Sequence, residues 1–286
     1  MPPTYDLLLP RDRAGVLPPR DGEPDLLALF ADAEHPGRPH VRANMVGTLD
    51  GGGVGPDGRS ASISSPADRR LFRVLRALAD VVLVGAGTVR AEGYREIPVA
   101  DHLRDARAAL GRAPDVALAV VTRRGDVPAD VRPGGHPPFV VTGPEGRDAA
   151  TRAVGADRVL AVPARDGELD LAAALSALGA RGLRHVLTEG GPALLGDLLA
   201  AGLVDELCLT TTPLLAGPGA PGLLHGAYRP DPPAGARLRH LLHADGTLLA
   251  RWDLAAARSG RGAPGTVADG DAATGDAAGA PVGSGA

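Results

Sequence analysis

Glu189 is followed by two glycines and a proline, an order of residue types that can hold an anion beside a carboxylate. Residues 185–188 form a short β-rich apolar run that Glu189 ends. Gly190 and Gly191 let the backbone turn sharply and approach a ligand with no Cβ in the way. Pro192 is a favoured first helical residue. Leu194, Leu195, Leu198 and Leu199 then recur at helical spacing, and Gly202 closes the helix. Unpaired N–H groups and the positive end of a helix dipole therefore face whatever sits at the glycines, which describes a phosphate site. Glu189 stands at its rim as a candidate acceptor for ligand hydrogen bonds. A second glycine turn, Gly85-Ala86-Gly87-Thr88, follows the apolar run 80–84. A dinucleotide fingerprint wants a third glycine at position 90, where Arg90 stands, so that motif is not met, although such a turn can still hold phosphate. Asn44 is the only asparagine in a chain that otherwise avoids the residue, which marks it as a candidate site residue.

Other chemistries find no support. Cys208 is the only cysteine and alternates between leucines in a strand pattern, so it reads as a small buried filler. His240 and His243 lie on opposite faces of a strand and make a poor metal pair. There is no H-x-E with P-C-x-x-C, no G-x-S-x-G and no kinase signature.

The elements that must position these residues alternate. Strands are expected at residues 41–48, 80–84, 116–122, 139–142, 158–162, 185–188 and 203–212, and helices at 101–110, 147–154, 171–178 and from Pro192. Ser65 opens a further helix with a capping-box-like S-P-A-D. Leu71, Leu75 and Leu78 give that helix a buried stripe, with Arg69, Arg73 and Arg76 as its charged positions. By spacing alone Arg76 is a solvated residue. Such alternation means a largely parallel sheet covered on both faces. Asp50-Gly51-Gly52-Gly53 reads as a flexible loop and residues 213–235 as irregular chain. Asp245-Gly246 joins the alternating runs 237–243 and 247–254 as a hairpin, so the sheet ends antiparallel. Residues 1–38 read as an N-terminal arm with a helix turn or two, 39–258 as one catalytic domain, and 259–286, poor in large apolar residues, as a disordered tail.

Of the 286 residues, 44% are hydrophobic, enough for a sizeable core. The net charge of −4 gives no general attraction to nucleic acid or anionic membrane. No apolar run approaches the roughly 20 residues that span a bilayer. A reducing cytoplasm fits. The chain has no lysine, so all 30 basic residues are arginine, a coding bias.

Three stretches together carry a family pattern: RANMVGTLDG (42–51), SPADRRLFRVLRALADVVLVGAGTV (65–89) and LTEGGPALLGDLLAAGLVDELCLTTTPLLAG (187–217). Over residues 40–254 the chain resembles the reductase domain of riboflavin biosynthesis, the C-terminal half of a bifunctional deaminase/reductase. The resemblance implies a dihydrofolate-reductase-like three-layer α/β fold, with a mostly parallel sheet and a C-terminal antiparallel hairpin. It implies reduction of the ribose of 5-amino-6-(5-phosphoribosylamino)uracil to a ribityl chain with hydride from NADPH, in a homodimer whose interface the segment 203–215 could supply. Catalytic positions would be Glu189 and Asn44. Ser60, Arg76 and Arg95 would hold the substrate phosphate, and Glu189 would accept hydrogen bonds from the pyrimidine. Arg76 and Glu189 would thus read opposite ends of one molecule. Cofactor contacts would come from Val46, Ser62, Thr88 and Glu92, from Gly85 and Gly87, and from the Gly190-Gly191 turn, with Arg123 on the 2′-phosphate. The chain departs from the pattern at Asn44, where bifunctional bacterial members carry lysine and single-function archaeal and fungal forms carry asparagine. It departs again at Glu92, where aspartate is usual, and at Gly93-Tyr94-Arg95. Both departures lie near the substrate. Two other readings stay open: a dihydrofolate or pteridine reductase on the same fold, and an NADPH-binding protein without catalysis.

Overall fold

The computed structural model describes residues 1–31, 37–131, 136–226, 228–231 and 233–254. In chain order these form β1 (Tyr5–Leu9), β2 (Gly15–Leu17), α1 (Pro24–Phe30), β3 (His40–Thr48), α2 (Pro66–Leu78), β4 (Val81–Gly85), α3 (Ala86–Glu92) and α4 (Arg104–Ala109). Next come β5 (Ala117–Val121), β6 (Phe139–Thr142), α5 (Arg147–Val154), β7 (Val159–Ala161), the small hairpin β8 (Ala164–Arg165) and β9 (Glu168–Leu169), and α6 (Leu171–Gly179). The last elements are β10 (His185–Thr188), α7 (Pro192–Ala200), β11 (Glu206–Thr212), β12 (Arg237–Ala244) and β13 (Thr247–Asp253).

Eleven strands make one sheet in the order β2-β1-β12-β13-β11-β3-β10-β4-β5-β6-β7. From β11 to β7 every pairing is parallel, and from β11 to β2 every pairing is antiparallel. The expected fold class, mostly parallel with a C-terminal antiparallel hairpin, is the one observed. Asp245 and Gly246 both have positive φ, 48° and 77°, as the tight turn between β12 and β13 requires. Ser65 caps α2 by accepting a hydrogen bond from Asp68 N at 3.1 Å. Two apolar layers result. One packs α1, α2, α3 and α5 on one face of the sheet, through Leu26, Leu71, Val74, Leu78, Val89 and Ala150. The other packs α6 and α7 on the opposite face, through Leu171, Leu175, Leu178, Leu194 and Leu198. No helix among the described residues is long and apolar enough to cross a membrane.

Three expectations need correction. Residues 1–38 are not a separate arm, because β1 and β2 extend the sheet beside β12. Tyr5 is fully buried and its hydroxyl donates to Ala67 O at 2.5 Å. Six residues between prolines, Thr-Tyr-Asp-Leu-Leu-Leu, carry too little alternation to announce a strand whose partner lies near the other end of the chain. Secondly, Gly85-Ala86-Gly87-Thr88 is no open turn but the N-cap and first turn of α3; Gly85 is extended, at φ −73° and ψ 143°. Thirdly, residues 101–103 form a 3-10 turn, and only the shorter α4 follows. The stretch expected to be a disordered tail lies outside the described residues.

Buried charge ties the strands together. Glu206 on β11 accepts from Arg42 on β3 (Nε 3.0 Å, Nη2 2.8 Å) and from Arg251 on β13 (Nε 3.1 Å, Nη2 2.5 Å). Both arginines also donate to the last carbonyls of α1, Arg42 to Phe30 O and Arg251 to Leu29 O. Burial alone would raise the pKa of Glu206, but the two guanidinium groups outweigh it and lower it from 4.5 to about 2. A carboxyl whose pKa is depressed on folding stabilises the native state above its unfolded pKa, and that contribution is lost as pH falls towards the folded value. Acid unfolding should therefore steepen between pH 4.5 and pH 2. In Glu206→Gln, urea denaturation should show lower stability at pH 7 and a flatter dependence through that window; an unchanged slope would contradict this role.

Candidate active site

The site exists because β10 is short. It pairs with β3 only as far as Thr188 opposite Ala43, and with β4 as far as Thr188 opposite Leu83. β3 runs on to Thr48 against β11, and β4 to Gly85 against β5. A crevice opens beyond the carboxyl end of β10, and the turn Glu189-Gly190-Gly191 fills its floor. Glu189 N donates to Leu83 O at 3.2 Å, and Gly85 N donates to Gly190 O at 2.9 Å, which joins the two glycine segments. Ligands bind at such places in open α/β sheets. Gly190 has φ +84°, and a Cβ on Gly191 would stand 2.3 Å from Thr88 Oγ1. Glycine is demanded here by conformation at one position and by close approach at the next.

Three hollows follow one another along the crevice. The first, of about 850 Å³, has Gly85, Gly87, Arg90, Arg123, Arg124 and Asp197 in its walls. The second, of about 640 Å³, has Gly87, Thr88, Gly191, Met45 and Leu223. The third, of about 790 Å³, has Asn44, Val46, Ser60, Arg76, Tyr94 and Arg95. Gly87 belongs to the first two, and Met45, Ser60, Glu92 and Glu189 belong to the last two, so the hollows form one trough. A loop walls its middle. Asp50 accepts from Ala216 N at 3.0 Å and Gly217 N at 2.7 Å, and Gly53 N donates to Pro221 O at 2.7 Å. These bonds and the Thr48 hydroxyl lower the pKa of Asp50 to about 2, the hydroxyl contributing most. The glycine loop read as flexible is thus fastened to residues 216–222.

At the centre stands an ion pair. Arg76 donates to Glu189 through Nε to Oε1 and through Nη2 to Oε2, each at 2.8 Å. Its guanidinium lies 4.1 Å from the Phe72 ring centre, and both side chains are largely buried. Burial works against the charge on Arg76, yet Glu189 more than compensates, and the pKa rises. The Tyr94 hydroxyl also donates to Glu189 Oε2. Spacing alone put Arg76 in solvent and the family pattern put it at the far end of a ligand from Glu189. The structure corrects both, since the two side chains touch.

The remaining candidates divide. Asn44, Val46, Ser60, Glu92 and Arg95 line the third hollow, so Val46 lies outside the second, where the Thr88 and Gly191 positions are. Glu92 Oε1 accepts from Ser60 N at 2.7 Å and so fixes the Ser60 loop. Ser62 is in none of the three; its hydroxyl bonds Asp57 Oδ1 at 2.7 Å and Arg59 O at 2.8 Å, and it faces a separate small hollow. Arg123 is exposed in the first hollow, beside Arg90 and Arg124. Sequence reasoning named Tyr94 only as part of a departure from the family pattern, with no role, and missed Met45. Tyrosine occurs only three times in the chain and methionine twice, so the rarity that singled out Asn44 also marked both.

The tight glycine contact is testable by stability. Gly191→Ala should cost about 1–3 kcal/mol in urea denaturation, the usual penalty of overpacking. Thr88→Ala in the same chain should recover most of that, because the hydroxyl is the atom the new methyl meets. A Gly191→Ala chain as stable as the wild type would show that the turn has room.

Comparison with known proteins places this architecture. The model of the RibD C-terminal domain matches residues 39–241. The 2,5-diamino-6-ribosylamino-4(3H)-pyrimidinone 5′-phosphate reductase of Archaeoglobus fulgidus is 31% identical over 189 residues, covering 63% of this chain and 83% of that one. The riboflavin biosynthesis protein RibD of Escherichia coli is 30% identical over 65% of this chain and 52% of its own length, so the chain spans about half of that relative. Among solved structures, a pyrimidine reductase-like protein from Corynebacterium diphtheriae superposes with a TM-score of 0.68 at 24% identity, covering 80% of this chain and 98% of that one. RibD of Acinetobacter baumannii gives 0.62 at 22% identity, covering 81% and 62%. With more than half of its length matched by that model, the chain belongs to the RibD C-terminal domain family.

Proposed function

We propose that this protein is an NADPH-dependent reductase that converts the ribose of a phosphoribosylamino-pyrimidine, most simply 5-amino-6-(5-phosphoribosylamino)uracil, to a ribityl chain. The observation that carries the reading is the trough itself: glycine segments at one end run into a paired carboxylate and guanidinium at the other. The name of the Archaeoglobus fulgidus relative, a pyrimidinone 5′-phosphate reductase, points to the same class of reaction.

The first two hollows suit a nicotinamide dinucleotide. Nothing stands where a Cβ on Gly87 would be, and α7 begins at Gly191, which lines the trough. Arg123 and Arg124 offer planar donors for a 2′-phosphate. Such a cofactor supplies hydride. The chain's own residues bind and orient the pyrimidine. Glu189, gripped by Arg76, accepts a ring N–H, and Ser60 and Arg95 line the same hollow where the phosphate would lie. Because Glu189 occupies only Nε and one bond of Nη2, Arg76 keeps donors to offer a ligand acceptor beside the carboxylate without releasing its partner. The fastened loop 216–222 walls the middle of the trough. Holding the electrophilic sugar carbon in place is then the main catalytic contribution, with no strong acid required.

Two measurements test this. In the wild type NADPH should bind more tightly than NADH, and Arg123→Ala should reduce that preference about tenfold or more, the scale of a charged hydrogen bond. Equal affinity for the two cofactors in the wild type would remove Arg123 from the 2′-phosphate. In an absorbance assay, Arg76→Ala and Glu189→Gln should each lower kcat/KM for the pyrimidine about 10- to 100-fold with NADPH affinity unchanged. Since the two side chains act as one unit, the double variant should lose clearly less than the product of the single losses. Multiplying losses would mean that they read the ligand separately. Efficient reduction of dihydrofolate with none of the pyrimidine would instead support the pteridine reading.

A further inference from the structure

Tyr94 follows α3 directly. Gly93, at φ +73°, ends the helix, and the N–H groups of Gly93 and Tyr94 both donate to Val89 O at 3.1 Å, so the backbone beneath the tyrosine is fixed. The ring packs on the apolar layer under α2 and lies 5.7 Å from the Arg76 guanidinium. Its hydroxyl reaches Glu189 Oε2. Burial, reinforced by the Glu189 charge, holds its pKa well above the ordinary phenol value, so it stays a donor.

A carboxylate offers about four acceptor positions, two on each oxygen. On Glu189, Arg76 Nη2 and the Tyr94 hydroxyl take both positions on Oε2, and Arg76 Nε takes one on Oε1. One acceptor position remains, on Oε1. A heterocycle edge with a single N–H between two carbonyls, as in a dioxopyrimidine, needs no more than that. An edge with an amino group beside a ring N–H, as in a 2-amino-4-oxopyrimidine or a pterin, needs an acceptor on each oxygen. It would leave a buried donor unpaired or have to displace the tyrosine, and an unpaired buried donor is costly.

We propose that Tyr94 determines which heterocycle this cleft accepts: by occupying Oε2 of Glu189 it limits the carboxylate to one ligand donor and so favours the dioxopyrimidine over amino-oxo rings. Tyr94 is a positioning residue that acts through Glu189, and the inference rests on the pyrimidine reading of the third hollow.

The test compares wild type and Tyr94→Phe, which keeps the ring and removes only the hydroxyl. In the NADPH assay, the wild type should show a higher kcat/KM for the phosphoribosylamino-uracil than for its 2-amino-4-oxo counterpart. In Tyr94→Phe that ratio should fall about tenfold, through a lower KM for the amino-oxo substrate, with NADPH affinity unchanged. A purely structural role would lower both activities together and leave the ratio alone, and that result overturns the proposal. A second arm needs no turnover: in thermal-shift titrations of the NADPH-loaded protein, 2,4-diaminopteridine should stabilise Tyr94→Phe and not the wild type. If the wild type reduces neither pyrimidine while this arm succeeds, the reductase reading falls and the role of Tyr94 stands. If the diaminopteridine treats both proteins alike, Tyr94 does not set selectivity whatever the substrate.

Discussion

The early end of β10 is the constraint on which the rest depends. A four-residue strand between longer neighbours leaves the inner edges of β3 and β4 without a partner at one end of the sheet. The chain leaving β10 must satisfy those edges while turning into α7, and it does so with Glu189 N on Leu83 O and Gly190 O on Gly85 N. Glycine makes this possible, because the turn runs so close to α3 that Thr88 excludes a Cβ from Gly191. Cleft, carboxylate and helix start therefore share one origin. Lengthening β10 would fill the crevice and move Glu189 out of reach of Arg76.

Arginine is the only basic residue besides histidine, and the fold uses its planar fork as a joint. Arg70 is buried and binds both oxygens of Glu23 together with the carbonyls of Pro3, Leu17 and Pro18, so one side chain holds the N-terminal segment against α2. Arg107, 1% exposed, donates to Ala77 O and Ala79 O at the end of α2 and to Ala113 O and Asp115 O. Several donors in fixed directions let one guanidinium satisfy several carbonyls, which an ammonium on a flexible stem does less well. The same fork at Arg76 grips both oxygens of Glu189 and keeps donors in hand. What began as a compositional bias has become part of how strands, helices and site are held.

Around Glu189 the charges are mutually compensated before any ligand arrives. Glu189 and Arg76 neutralise each other at 2.8 Å in a partly desolvated place, and Glu92 is committed to the backbone of Ser60. Recognition of the ring there depends on the directions of the donors and acceptors that remain rather than on net charge. This is the physical basis for discrimination between rings of similar size, because a buried polar group with no partner costs more than a lost apolar contact.

The sequence by itself determined the parallel half of the sheet and the place of the crevice. Local patterns sufficed for β6, β10 and α5, whose bounds agree with the periodicity, and for the Ser65 cap and the Asp245-Gly246 hairpin. A glycine pair after a strand and before a helix marks a crevice because its meaning is local. Only the tertiary structure could decide what depends on distant chain. β1 is a strand because β12 and Ala67 await it; Arg70 is buried because Glu23 and three carbonyls surround it. The site's inner wiring is of that kind too. Arg76, Tyr94 and Glu189 lie on α2, after α3 and after β10, and no spacing within one element reveals that the first two converge on the carboxylate of the third. Periodicity reports which face a residue occupies, whereas the partner it meets there is set by the packing of elements that the sequence keeps far apart.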